Sequence, residues 1–352
     1  MTAGAPSHFY VTCVGGLEGV VAEEISQRTP SATVTALAFG RVHFVYAGPV
    51  AQLLTLRTIE HLHAHIAVLE TVRPERAWLS ELQAALAATD LQPALELMQQ
   101  VRELPAKPSF RVTPIRHGQH EFTSPEIGAA AGAGIVERYG WPVDLEGYDL
   151  DIRVEVRDAV AAVGLRLSEE ALHRRSRVVH MRASLNPTVA AAMVRLSEPE
   201  PGETVLDPMT GAGTLITERY QHDPQVRLIA SDLYAEKLAL AAENFATLAV
   251  PARLLRSDAR ALPLRTGAAD KVLCNLPWGR IVANPRLNRR LYPPVLTEIA
   301  RVVRPGGIVV LLTSERRLLE QSLSRLAELR LARQLHLHVG GLQPTLYVAR
   351  RL

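Results

Sequence analysis

From Thr204 to the end of the chain, short apolar runs alternate with longer amphipathic stretches: TVLD, LIASD, RLLRSD, KVLCN and IVVLLT, most of them followed by a helical pattern. This alternation constrains the fold more than any other feature. Strands joined through helices run parallel, and a parallel sheet needs both of its faces covered. Two last runs, Gln334 to Val339 and Thr345 to Arg350, read as a closing antiparallel hairpin. The expected architecture is α/β: a mostly parallel, seven-stranded, doubly wound sheet with an antiparallel edge, led in by an amphipathic helix from Pro187 to Leu196.

The first half is organised differently. His8 to Val14 alternates, Gly15-Gly16 turns, Leu17 to Arg28 is helical, and Gly40 to Tyr46 alternates again. A helix is expected from Val50 to about Leu69, and a second helical stretch from Ala77 to Leu104, interrupted near Pro93. His61, His63 and His65 fall in the first of these, where a spacing of two spreads side chains around different faces, so no metal site is expected. Beyond Ser109 come a strand from Phe110 to Ile115 and a helix start at Thr123-Ser124-Pro125-Glu126, with a cap and a first-turn proline; that helix ends at Gly140. Ile152, Val154 and Val156 then pair with Ala159 to Leu167 as a hairpin. Residues 1–70 and 71–168 are expected as two α+β units, 169–182 as a basic linker and 183–352 as the doubly wound domain.

A chain of 352 residues suits two or three compact units, and 47% hydrophobic with 21% charged residues is globular composition. No apolar run approaches the roughly twenty residues that cross a bilayer, and the N-terminus lacks a signal-peptide pattern, so a cytoplasmic protein without membrane contact is expected. Cys13 and Cys274 fall in different units and are expected as reduced, buried thiols. Net charge is only +3, but lysine occurs only at Lys107, Lys237 and Lys271, so the cations are nearly all arginine. Arginine suits phosphate; biased composition accounts for the excess equally well, and the distribution of the arginines carries more weight than their number.

The sharpest local motif is the run Val205 to Thr214, an apolar strand entering a glycine-rich turn that opens a helix. Gly211 and Gly213 let backbone approach a ligand closely, and Asp207, Pro208, Thr210 and Thr214 complete the turn. Asp232, followed by Leu233, ends the second strand, where a carboxylate can accept both hydroxyls of a ribose. Asp258, followed by Ala259, ends the third and could accept from the amine of adenine; either aspartate alone could instead cap a helix. The turn departs from the GxGxxG of dinucleotide enzymes, and no GxxxxGK[ST] phosphate cradle is present. The fourth strand ends in Asn275-Leu276-Pro277-Trp278, which puts a polar side chain, a carbonyl and an aromatic ring at the ligand-binding edge of the sheet.

These motifs resemble class I S-adenosylmethionine methyltransferases, with a Rossmann-like domain, DPMTGAGT as first motif and the N-x-P-[YFW] signature of amino-methyltransferases at Asn275. The resemblance implies S-adenosylmethionine as cofactor. It also implies that Asn275 Oδ1 and the Leu276 carbonyl accept the two protons of a planar amine, that Trp278 stacks on the base, that Pro277 belongs to the same catalytic motif, and that Asn275 also contacts the cofactor. The N-terminal segments Phe110-Arg111-Val112, Arg116-His117-Gly118, Phe122-Thr123-Ser124, Gly134 to Gly140 and Gly164-Leu165 resemble a THUMP domain, with a ferredoxin-like unit before it. THUMP modules bind RNA, and the resemblance implies recognition of the acceptor stem and 3' end of tRNA by a monomer. Arg174, Arg175, Arg177 and Arg182, before Ala183-Ser184-Leu185-Asn186-Pro187, resemble the family's passage into its catalytic domain, with Ser184, Leu185 and Pro187 covering the cofactor. Those arginines, with Arg116 and Arg280, could line an RNA path, although a solvated basic linker fits the first four as well.

The match is to THUMP-containing N2-guanine tRNA methyltransferases. Leucine after Asn275 and tryptophan at 278 depart from the commonest adenine-directed form, while keeping a carbonyl and a stacking surface. Ribosomal RNA, a protein glutamine or DNA adenine are the rival substrates, and an inactive RNA-binding or assembly factor is the reading outside enzymes.

Overall fold

A computed structural model of the chain describes residues 6–174, 184–279 and 285–352. The alternation that begins at Thr204 becomes β8 (Thr204–Asp207), α7 (Thr214–His222), β9 (Arg227–Asp232), α8 (Ala235–Thr247), β10 (Ala252–Arg256), β11 (Ala269–Asn275), α9 (Pro285–Val302), β12 (Val303–Thr313), α10 (Arg316–Leu323), β13 (Leu329–His336) and β14 (Thr345–Arg351), after α6 (Pro187–Leu196). These strands form one seven-stranded sheet in the order β10-β9-β8-β11-β12-β14-β13. Neighbours from β10 to β12 are parallel, and β14 is antiparallel to both β12 and β13. On β11, Leu273 packs into one apolar cluster while Val272 and Cys274 pack into another on the opposite face. Burial on both sides is why this strand reads as a nearly unbroken apolar run.

Chain order reverses between β8 and β11. The loops leaving their carboxyl ends therefore diverge to opposite faces, which opens a crevice between the residues after Asp207 and those after Asn275.

The first 166 residues contribute β1 (Ser7–Thr12), α1 (Glu18–Arg28), β2 (Thr33–Ala38), β3 (Arg41–Tyr46), α2 (Val50–Leu53), β4 (His61–Leu69), α3 (Trp78–Ala88), α4 (Gln92–Gln99), β5 (Phe110–His117), α5 (Ser124–Tyr139), β6 (Leu150–Arg157) and β7 (Val160–Arg166). Their seven strands share a second sheet, ordered β2-β3-β1-β4-β7-β6-β5. The α5 helix starts as its sequence requires: Thr123 and Glu126 form a reciprocal capping box, and Gly140 closes the helix in the left-handed conformation.

The helix expected from Val50 to Leu69 is not formed. Only Val50–Leu53 is helical, and His61–Leu69 is the strand β4, paired antiparallel to β1 on one side and β7 on the other. Leu62 and Ala64 enter the core at period two, so His61 and His63 lie together on the other face, contrary to the spreading that a helix imposes. There His63 is buried and stacked on Tyr10, with centroids 4.5 Å apart and planes 4° from parallel. Burial holds His43 and His61 down at about 4 and His63 well below the ordinary value, so these rings are neutral at physiological pH. The sheet curls over them far enough for Arg41 of β3 to form a salt bridge with Glu155 of β6, across three intervening strands. β2 was also unforeseen: its residues are mostly exposed on a sheet edge and carry no alternating pattern.

The two sheets are joined through packed groups. Val14, Leu17 and Val20, at the start of α1, belong to the apolar cluster that contains α6. Arg57 grips Glu218 of α7 with two hydrogen bonds of 2.7 and 2.9 Å, and the buried Glu24 accepts from the backbone and hydroxyl of Thr58. Because α7 opens at the glycine turn, the Arg57–Glu218 pair ties the N-terminal half to the element that carries that turn, while Glu24 fixes Thr58 beside Arg57. Among the described residues, no helix is long and apolar enough to cross a membrane.

Candidate active site at the carboxyl edge of the parallel strands

Three strand ends bring the aspartates and the glycine turn together. Asp207 is buried, and its Oδ1 accepts the Met209 N–H at 3.0 Å. Burial, reinforced by Asp232, raises its pKa to about 8. The Asp232 carboxylate accepts the N–H groups of Gly211 and Tyr234, each at 3.1 Å, with Lys237 Nζ 3.9 Å away. It fastens the turn while keeping further lone pairs for a ligand.

Gly211 has φ +53°, and nothing lies within 4 Å of the place where a side chain would begin, so the turn borders open space. Gly213 is in the opposite situation. With φ +86°, a Cβ there would stand 2.5 Å from the Phe245 ring, so only glycine lets α8 pack against the turn. Asn244, beside Phe245 and also buried, donates from Nδ2 to the Ala212 carbonyl at 2.9 Å. Pro208 and Ala259 are buried, Thr210 is buried with its N–H bound to the Ser231 carbonyl at 2.8 Å, and Thr214 is half-buried.

Leu233, at the tip of β9, is 48% exposed, a flat apolar surface beside Asp232. Asp258 is engaged already: the Arg260 guanidinium approaches it to 2.6 Å, and the Arg260 N–H reaches Oδ1 at 2.9 Å, which together hold its carboxyl below the usual range. Ser184, Leu185 and Pro187 are half-buried ahead of α6, whose first turn is capped by Asn186 Oδ1 on the Thr188 N–H at 2.9 Å.

Across the crevice, Asn275 is half-buried and its Oδ1 accepts the indole N–H of Trp278 at 3.0 Å. Leu276 is fully buried and continues the strand register through its N–H to the Leu312 carbonyl at 3.0 Å. The Leu276 carbonyl is thus enclosed in the unliganded protein. The Pro277 carbonyl accepts from Asn288 Nδ2 at 2.9 Å and from the Tyr292 hydroxyl at 2.7 Å; both residues are fully buried on α9. Tyr292 also bonds Thr313 Oγ1 at 2.7 Å, and Ser314 Oγ donates to the Trp278 carbonyl at 3.3 Å.

Asn244, Asn288 and Tyr292 were not foreseen as part of the site. Each is a polar or hydroxylated residue on the buried stripe of an amphipathic helix, and that violation of the pattern was the available signal. Among the arginines expected on RNA, Arg116 lies on β5 and bonds the Gly118 carbonyl at 2.9 Å, and Arg174 is exposed in a 3-10 turn. Arg175, Arg177, Arg182 and Arg280 lie outside the described residues.

Residues 174–345 match the RMKL-like methyltransferase domain family, and residues 92–166 match the THUMP domain. A protein named tRNA (guanine(6)-N2)-methyltransferase from Thermus thermophilus is 36% identical over 341 residues, covering 96% of this chain and 97% of that protein. The bovine tRNA (guanine(6)-N(2))-methyltransferase THUMP3 is 31% identical over 258 residues, 69% of this chain and 51% of its own. The crystal structure of TrmN from Thermus thermophilus superposes with a TM-score of 0.84 at 33% identity, covering 99% of this chain and all of that one.

Proposed function

Because the chain belongs to the THUMP-containing, S-adenosylmethionine-dependent tRNA (guanine-N2-)-methyltransferases, we propose that it methylates guanosine 6 in the acceptor stem, turned out of its stack into a site formed by Asn275, Leu276, Pro277 and Trp278. One observation carries the assignment: Asn275 stands at the tip of β11, across the switch-point crevice from the glycine turn at the tip of β8. A guanine paired in a stem hides its N2 amine, so flipping is the route to this crevice.

The lone pair of a guanine N2 is delocalised into the ring and is a poor nucleophile. Asn275 Oδ1, with a lone pair beyond the one bound to Trp278, accepts an amine proton and builds electron density on nitrogen as it becomes tetrahedral. The Leu276 carbonyl accepts the other. The indole N–H is a donor only, so it also decides that oxygen, rather than NH2, is the end of the Asn275 amide held beside it. Trp278 offers its remaining face to the base.

S-adenosylmethionine supplies a methyl group already activated by its sulfonium charge. The residues present fit it: the space beside Gly211 admits a ligand, Asp232 has acceptor capacity for ribose hydroxyls, and exposed Leu233 offers adenine an apolar surface. Ser184, Leu185 and Pro187 close over it from the start of α6. Asp258, with Ala259, addresses the adenine edge once Arg260 yields part of the carboxylate.

The same chain supplies both walls of the crevice, and we take the acting unit as a monomer and place the reaction in the cytoplasm. We divide the chain at 1–70, 71–168, 169–182 and 183–352, with Arg116, the linker arginines and Arg280 on the RNA path. Incubation with labelled S-adenosylmethionine and unmodified tRNA, followed by nucleoside digestion, tests the proposal. Label is expected in N2-methylguanosine at position 6; label in adenosine, in protein or in no product would overturn it.

The buried Asp207 gives a pH dependence. With a pKa of about 8 in the unliganded protein it carries a proton at neutral pH, and a cationic ligand placed next to it favours the ionised form. Between pH 5.5 and 7.5, cofactor affinity is therefore expected to rise with pH, and titration calorimetry in buffers of different ionisation enthalpy should register proton release. Stability without ligand runs the other way, because folding raises this pKa: its contribution is complete at acid pH and is lost as pH rises through about 8. An affinity that does not change with pH would remove Asp207 from the cofactor's surroundings.

A further inference from the structure

A loop that accepts protons from a planar amine cannot by itself tell the N2 of guanine from the N6 of adenine. Some other group must read the ring. Glu315 stands beside this loop, between the tip of β12 and the start of α10. Its backbone N–H is bound to Thr313 Oγ1 at 2.9 Å, but among the described residues its half-buried carboxylate makes no hydrogen bond or salt bridge, and it does not cap α10. The adjacent Arg316 pairs with Glu320 instead.

The carboxylate rests directly on the residue after Trp278. A Cβ at Gly279, which has φ +71°, would lie 2.5 Å from Glu315 Oε1 and 3.1 Å from Asn288 Nδ2. Only glycine lets the acid approach the loop so closely. The Asn288 amide and the Tyr292 hydroxyl hold the Pro277 carbonyl of the same loop, and the carboxylate's charge contributes to raising the Tyr292 pKa above the ordinary value, after burial. Among the described residues, no cation pairs with it. A half-buried carboxylate with no partner among the described residues keeps its lone pairs for a ligand.

We propose that Glu315 determines base specificity by accepting the N1–H of guanine while Asn275 Oδ1 accepts an N2–H. Guanine presents donors at both adjacent positions. Adenine presents an N1 lone pair beside its amine, which a carboxylate repels. The assignment rests on the guanine-N2 reading above.

The test uses the full-length protein and two tRNAs, carrying guanosine or 2-aminoadenosine at position 6. The second base keeps the N2 amine but has a lone pair at N1. The wild-type protein is expected to prefer guanosine by at least about a hundredfold in kcat/KM. In Glu315→Gln, whose amide can donate to N1, the preference should shrink to within about tenfold, with cofactor affinity unchanged. Glu315→Ala should shrink it too, by removing the acceptor and the repulsion together. Variants that keep the wild-type ratio would overturn the assignment of Glu315, leaving only a favourable charge at the α10 terminus. A wild-type protein that leaves the N2 of guanosine 6 unmethylated overturns the parent reading itself, an outcome visible before any variant is made.

Discussion

Asn275→Ala is expected to lower the methyl-transfer rate by about a hundred- to a thousandfold, the range seen when one preorganised polar group is taken from a developing charge. The affinities for S-adenosylmethionine and for tRNA should stay near those of the wild type, because the amide acts on an amine that is bound mainly through stacking and phosphate contacts. Single-turnover rates beside equilibrium binding would separate the two quantities. Asn275→Asp keeps an oxygen within reach of the Trp278 indole and should retain more activity than the alanine variant. Wild-type turnover in Asn275→Ala would remove the proton-acceptor role on which the mechanism depends.

Gly213→Ala is expected to abolish tight cofactor binding and to lower the melting temperature. Two costs combine. An L-residue at φ +86° pays about 1–2 kcal/mol of backbone strain, and its Cβ collides with the Phe245 ring at 2.5 Å. Relief requires α8 or the turn to move, and movement of the turn displaces the Gly211 N–H from Asp232. Adding Phe245→Ala should restore part of the stability by removing the collision, while leaving affinity low because the strain persists. Unchanged affinity in the single variant would show that the turn does not contact the cofactor.

The catalytic half was legible because its signals are local. Strand ends at Asp207, Asp232 and Asn275, the positive-φ glycines and the start of α6 at Pro187 all follow from short patterns that need no distant partner. The N-terminal half was harder. The run from Val50 to Leu69 is free of breakers and rich in leucine and alanine, and its local preference is helical. Strands on both flanks, reaching it from Tyr10 and from Gly164, made His61–Leu69 a strand, and no local pattern could announce partners so far along the chain.

The amino-acid order alone determined the doubly wound topology, the glycine turn after β8 and the position of the Asn275 loop at a strand tip, because each is written in periodicity or in residues whose backbone freedom is special. Tertiary structure alone decided what holds that motif in place: Asn288 and Tyr292 under Pro277, the indole on Asn275, and a carboxylate brought onto Gly279 from the next strand. Those relations join residues up to 36 positions apart, Ser314 to Trp278 among them. Apart from the indole contact within the loop itself, they exist only once β11 and β12 lie side by side and α9 packs against the loop between them.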